Sequence, residues 1–143
     1  MKHFIRTSVW LIVATMSALP AMAQIGRRFP SEKKVVIDPV TGVELLFLTS
    51  QSGTGDSKIY QTHNQWTSDG QWVVFRSDRV PGEAMAVNES TGDIVQVTEG
   101  GYTGMLCVAR NSMHLYYMRP VGKGKQREMD MEVVEVDLSK LFA

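Results

Sequence analysis

Residues 64–79 read Asn64-Gln65-Trp66-Thr67-Ser68-Asp69-Gly70-Gln71-Trp72-Val73-Val74-Phe75-Arg76-Ser77-Asp78-Arg79. A polar Thr-Ser-Asp-Gly turn sits between two short runs rich in aromatic and β-branched residues, which is the pattern of two antiparallel strands joined by a tight turn. The unit recurs. Thr67–Phe75 aligns with Ala109–Tyr117 at an offset of 42 residues, and Met85–Ser90 aligns with Val134–Ser139 at an offset of 49. A third echo joins Asp38-Pro39-Val40-Thr41-Gly42 to Asn88-Glu89-Ser90-Thr91-Gly92. A period near 42 with four short strands per unit is the repeat of β-propeller blades.

Working outward from this stretch, the strands fall into an incomplete set. An orphan strand at Glu44–Leu48 comes first, followed by a full set at Thr62–Trp66, Trp72–Ser77, Glu83–Asn88 and Asp93–Val97. Three further strands follow at Met105–Ala109, His114–Met118 and Glu132–Val136, and Leu141-Phe142-Ala143 falls where a fourth is due. The predicted fold class is therefore all-β, a β-propeller fragment of about two four-stranded blades with an orphan N-terminal strand. Propellers need about four to eight blades, so two leave edges and apolar faces uncovered. The expectation is a chain that is part of a longer protein, or one that closes a ring with other blades or other copies.

The N-terminus reads separately. Lys2, His3 and Arg6 precede an apolar run from Val9 to Leu19, and Ala21-Met22-Ala23 ends it. A charged head, a short apolar middle and a small-x-small end make a secretory signal peptide, too short to span a bilayer as a helix. Cleavage after Ala23 predicts a periplasmic or secreted product without a membrane span. The remaining domain plan is a 24–43 extension followed by the 44–143 propeller portion.

Composition excludes some partners. Loss of Lys2 and Arg6 leaves 13 basic against 15 acidic residues. That balance supplies no field for nucleic acid or an anionic membrane. The basic run Lys123, Lys125 and Arg127 is broken by glycine and reads as a solvated loop. Cys107 has no second cysteine to pair with and, within Met105–Ala109, is expected to be a small buried hydrophobe.

The Asn64–Arg79 stretch resembles the blade signature of TolB-like propellers, as does the hairpin Asn88–Thr98. More narrowly, Phe29-Pro30-Ser31-Glu32-Lys33-Lys34, Asp38–Glu44 with Leu48-Thr49, and the stretch from Glu99 to Leu138 resemble the start of oligogalacturonate lyase-type propellers. That resemblance implies a seven-bladed propeller that cleaves oligogalacturonides by β-elimination in pectin catabolism, with manganese as cofactor. It also implies metal ligands and a base in later blades, leaving this portion inactive alone, with no catalytic and no metal-binding residue of its own.

The candidate substrate-binding residues are His63, Asn64 and Arg79. The first two enter the innermost strand, which in propellers lines the central channel, and could contact an acidic sugar. Arg79 could grip a carboxylate bidentately, or pair with Asp78 or Asp56 at the rim. His114 reads as a partly buried structural residue. The predicted partner is an acidic oligosaccharide or, in the alternative of a non-catalytic TolB-like module, a protein or envelope component.

Overall fold

The computed structural model describes residues 24–51, 53–122 and 130–143. The signal peptide and the Lys123–Arg127 run lie outside the described residues. The fold is almost entirely β: three antiparallel sheets and one short helix.

The decisive stretch folds as read. Thr67 and Asp69 build the turn. Thr67 Oγ1 donates to Asp69 Oδ1 at 2.5 Å and accepts from Trp72 N–H at 3.1 Å, and Asp69 Oδ1 accepts from Gln71 N–H at 3.0 Å. Short polar side chains that bond nearby backbone are the mechanism by which such residues favour turns. The turn closes with Thr67 N–H donating to Trp72 C=O at 3.0 Å. In the second repeat the same bond joins Ala109 to His114 at 2.9 Å, 42 residues on.

The first sheet contains β1 (Arg28–Phe29), β4 (Ser57–Lys58), β5 (Trp72–Arg76), β6 (Ala84–Asn88) and β7 (Ile94–Gln96), in the spatial order β1-β7-β6-β5-β4. The second is a hairpin of β2 (Lys34–Ile37) and β3 (Glu44–Phe47). The third runs β10-β9-β8, from Asp130–Asp137, His114–Val121 and Thr103–Val108.

Burial follows the strand period of two. One face of the first sheet, carrying Trp72, Val74, Ala84, Ala86 and Val95, packs on Leu106, Val108, Leu115, Tyr117 and Val136 of the third sheet. The opposite face carries Phe75, Met85, Val87 and Ile94, with Phe29 and Leu48 against it. Every residue of β6 is buried as a result. Glu83, also buried, ties the loop beyond β7 down: its two carboxylate oxygens accept from Thr98 Oγ1 at 2.7 Å and Gly101 N–H at 2.8 Å.

Four expectations need correction. The predicted orphan strand has a partner: Glu44–Phe47 pairs with Lys34–Ile37, because Asp38 and Gly42 form a tight turn that folds the chain back. The stretch before it also supplies β1, whose Arg28 and Phe29 pair with Val95 and Ile94 at the outer edge of the first sheet. The Thr62–Trp66 strand reduces to one bridge, Trp66 with Val73, and Ser57–Lys58 takes the rest of the edge of β5. Finally, Leu138–Phe142 is a helix, α1, capped by Asp137, whose carboxylate accepts from Ser139 N–H at 3.1 Å. Its Phe142 ring stacks on Trp72 at 3.9 Å between centroids.

Cys107 differs as well. Leu106 and Val108 point inward, so Cys107 between them is exposed, opposite Tyr116. This placement makes a prediction. Leu115→Ala, which empties space between two sheets, lowers unfolding free energy by about 3 kcal/mol, whereas Cys107→Ser leaves it within about 0.5 kcal/mol. Urea denaturation of both variants checks it; equal losses would mean that Cys107 is packed inside as Leu115 is.

Candidate functional site

The inner edge of the first sheet is interrupted. Val73 pairs with Trp66, so an unbroken antiparallel strand would set Asn64 opposite Phe75; Lys58 stands there instead. Residues 59–64 are therefore looped out of the edge. Ile59 anchors one end, 1% exposed in the core shared with the third sheet. Gln65 C=O anchors the other by accepting from Val74 N–H at 2.8 Å.

His63 and Asn64 both lie on this excursion. A turn closes on itself where His63 N–H donates to Tyr60 C=O at 2.9 Å, and the Tyr60 and His63 rings lie 5.5 Å apart. Asn64 Nδ2 donates to Trp66 C=O at 2.5 Å, which fixes its amide at the point where the chain rejoins the sheet. His63 Nδ1 is shielded from solvent and has no hydrogen-bond partner among the described residues. An unpaired buried ring nitrogen is costly to leave unmet, which makes it a group with unused bonding capacity.

Arg79 sits elsewhere. Its side chain is 3% exposed and held by two carboxylates. Nε and Nη2 grip Glu32 as a fork at 3.1 and 2.6 Å, and Nη1 bonds Asp56 and, at 2.7 Å, Ser77 Oγ. The bidentate grip foreseen for Arg79 thus goes to Glu32, and of the two rim acids expected as alternatives it is Asp56 that pairs. Glu32 also accepts from the backbone N–H groups of Ser50 and Gln51, both at 3.0 Å. The cluster ties the start of the β2–β3 hairpin to the edge carrying β4.

A cleft of about 250 Å³ runs from Asp56 of this cluster to Gln65 beside the excursion. Val73, Phe75 and Val87 line it, with Leu48 and Lys58 also on its wall. It combines apolar surface with one cation, one carboxylate and one amide. Glu32, Lys58 and Gln65 were not foreseen as site residues. Glu32 lies 47 residues from Arg79 in sequence, and nothing local marks them as a pair. His114 is held locally, with Nδ1 meeting Ser112 Oγ at 3.0 Å and Nε2 3.6 Å from Glu135. Among the described residues, no three His, Cys, Asp or Glu side chains converge where they could hold a metal ion. The described residues thus bring together no cluster suited to a manganese ion. No helix of the described residues is long and apolar enough to cross a membrane.

With this geometry in view, comparison with solved structures is informative. An oligogalacturonate lyase in complex with manganese superposes on 83% of the chain with a TM-score of 0.63 and 20% identity. An oligogalacturonate lyase from Vibrio parahaemolyticus covers 82% with a TM-score of 0.64, also at 20% identity. The chain has the fold of part of an oligogalacturonate lyase. It spans only 30% and 29% of the length of those two proteins. No family model matches the sequence, and no curated protein matches it.

The Arg79 cluster generates a prediction about acid stability. Burial alone would raise the Glu32 and Asp56 carboxyls, but hydrogen bonds from Arg79, with those from Ser50 and Gln51 for Glu32 and from Ser77 and Thr49 for Asp56, outweigh it and hold both below their ordinary values. A carboxyl lowered in the folded state stabilises the fold fully above its unfolded value, and the benefit is lost as pH falls through the folded one. Stability contributed by the cluster is thus complete above about pH 5 and declines below about pH 4. Arg79→Ala, which leaves two carboxylates unpaired, costs about 3 kcal/mol at pH 7, and its penalty shrinks as the acids protonate. Urea midpoints at pH 7 and pH 3.5 check this; a penalty unchanged between the two would remove the ion cluster as its cause.

Proposed function

We propose that this chain is the N-terminal portion of an exported β-propeller of the oligogalacturonate lyase type, and that it holds an acidic oligosaccharide at the inner edge of its first sheet. The fold likeness over more than four-fifths of the chain carries the reading. On this view β4–β7 make one four-stranded blade, β8–β10 make three strands of the next, and β2–β3 belong to a blade before them. The central channel then faces the edge carrying the 59–64 excursion, the place where propeller ligands collect.

The chemistry of that edge suits a uronate. The half-buried His63 and Asn64 lie on the excursion beside the cleft, and Lys58 on the cleft wall supplies a cation for a carboxylate. Arg79 acts through position: by clamping Glu32 and Asp56 it holds the cleft wall next to β4. β-Elimination needs the developing charge on the substrate carboxylate to be stabilised while the adjacent carbon proton leaves. The manganese of the neighbour would supply that charge, and the described residues hold no cluster for it. This portion therefore contributes sugar contacts and not the eliminating step, and is inactive alone. The alternative, a non-catalytic TolB-like module that binds a protein or envelope component, is favoured by that same want of a metal-holding cluster among the described residues.

Titration calorimetry with tri- and tetragalacturonate distinguishes the two. Saturable binding is expected, with no unsaturated product absorbing in the ultraviolet. His63→Ala should weaken it roughly tenfold, the size of one hydrogen bond to a charged group, and a neutral maltotriose should not bind. Heat flow for neither galacturonide would leave the binding-module reading. Export has its own check: in a Gram-negative host, N-terminal sequencing of the periplasmic or secreted product should begin at Gln24, after Ala23. A product beginning at Met1 would count against the signal peptide.

A further inference from the structure

Arg76, the last residue of β5, is half-buried. Strand alternation sets it on the face that carries Trp72 and Val74, turned to the third sheet. Its cross-strand neighbours agree: Ala84, opposite it in β6, is buried in that same core, and Ser57 stands opposite it in β4. The side chain is thus lodged in the seam between the first and third sheets, one strand in from the inner edge.

What it lacks is a partner. Its Nε is shielded from solvent without a hydrogen bond, and among the described residues the side chain makes no ion pair. Arg79 and Arg119 are unlike it, the first held by Glu32 and Asp56, the second by Glu132 at 2.6 Å. A guanidinium drawn into a seam with a hydrogen bond unmet is unfavourable, and the penalty falls when an anion is brought to it. Glu83 does not fill that place, because its two oxygens are occupied by Thr98 and Gly101. Asp78 is exposed and stands against Gly55, where a Cβ would lie 2.1 Å from its Oδ2.

Tyr102 lies across the seam. It packs on the core that holds Val74 and Ala84, and its N–H donates to Gly82 C=O at 3.2 Å, which ties it to the loop between β5 and β6. Its phenol is near enough to feel the Arg76 charge. Burial raises the hydroxyl above its ordinary value, Arg76 opposes that rise, and Glu83 and Asp78 add to it. Tyr102 also opens the stretch where Gly104 and Met105 interrupt the pairing of β8 with β9, between Thr103 and Leu106. It follows Tyr60 by the 42-residue spacing of the repeat, and Tyr60 lies in the excursion of the first sheet. Both inner strands thus break at the same level, and bulges of this kind gather next to functional sites.

From this we infer that Arg76 and Tyr102 form a carboxylate-binding subsite in the seam between the first and third sheets. The guanidinium fork takes the two oxygens of a uronate carboxylate, and the Tyr102 hydroxyl donates to one of them. The subsite lies on the opposite face of β5 from the Lys58 cleft, which is lined by Val73 and Phe75, so the two cations serve different carboxylates of one acidic chain. The choice of a uronate rests on the oligosaccharide reading; the subsite itself rests on the unmatched arginine.

Calorimetry with trigalacturonate and with its fully methyl-esterified form tests this. Arg76→Met keeps the apolar stem and removes the charge, and should weaken binding of the acid at least about tenfold. The parent's preference for acid over ester should shrink by the same factor, which a merely distorted site would not do. Equal affinity in a folded methionine variant overturns the inference, as does a loss that falls on acid and ester alike. Arg76→Lys keeps the charge without the fork and should lose several-fold. It decides the matter where the methionine variant does not melt cooperatively, and a lysine variant that binds as tightly as the parent overturns the inference. A parent that binds no galacturonide overturns it together with the oligosaccharide reading. Binding that is lost in His63→Ala and kept in Arg76→Met overturns the inference alone.

Discussion

A sheet whose two faces are both apolar must be covered on both sides, and the rest of this molecule is arranged around that requirement. β6 is the clearest case, since Ala84 and Ala86 face one way, Met85 and Val87 the other, and all are out of water. Burying four to five such side chains contributes several kcal/mol at about 25 cal/mol per Å², but only if a neighbour exists on each side. The third sheet meets the need on one face. On the other, the β2–β3 hairpin and the segment leading to it do so, and they reach only part of the surface. The apolar cleft over Val73 and Phe75 is the part left uncovered.

This explains why the N-terminal segment is fastened so thoroughly. Ser31 and Lys33 bond to the backbone of the β6–β7 turn: Ser31 Oγ to Thr91 C=O at 3.2 Å, Lys33 Nζ to Glu89 and Ser90 C=O at 2.9 and 2.7 Å. Glu32 between them takes Arg79. A hairpin with both strands exposed along their length is marginal by itself. Its position is set by these polar ties and by Leu48, more than by its own packing. Gly92 makes the approach feasible, because a Cβ there would stand 2.1 Å from Ser31 Oγ and 2.7 Å from Lys33 Cβ.

What could be read from the sequence was whatever is encoded locally. Turns made by Thr67, Asp69 and Asn88 bond to residues within five positions, so their composition suffices, and the 42-residue spacing carried over into the equivalent bonds at Ala109 and His114. Pairings across dozens of residues leave no such trace. Nothing near Arg28 announces that it will pair with Val95, nor near Glu32 that it will meet Arg79. The facing of Cys107 was illegible for another reason. Met105–Ala109 is apolar throughout, so it has no alternation to show which residues turn inward, and the register shift between Thr103 and Leu106 makes counting from the strand start unsafe. Of the candidate site, His63 and Asn64 were marked by type and place. The excursion that holds them was not, because a six-residue break in a strand edge shows only against the partner strand.

The last helix shows how little separates two outcomes of one local design. Asp38, Asn88 and Asp137 are equivalent, and each side chain accepts from the backbone N–H two residues later. After the first two the chain turns back as a hairpin; after the third it winds into α1. The residue four positions on decides between them. Gly42 and Gly92 adopt φ of +73° and +79°, a left-handed conformation open to glycine. At the matching position stands Leu141, for which that conformation is costly. An Asx residue that bonds forward is equally able to cap a helix, and without the glycine the cap is what remains. Ser139 and then Lys140 hold the Asp137 carboxyl at about 2, so the capping form is ionised throughout the neutral range. Once wound, α1 carries Phe142 onto Trp72 and Leu138 into the core between the first and third sheets. The side chains that favour the helix locally are thus supported by the same apolar seam that every other element of the fold serves.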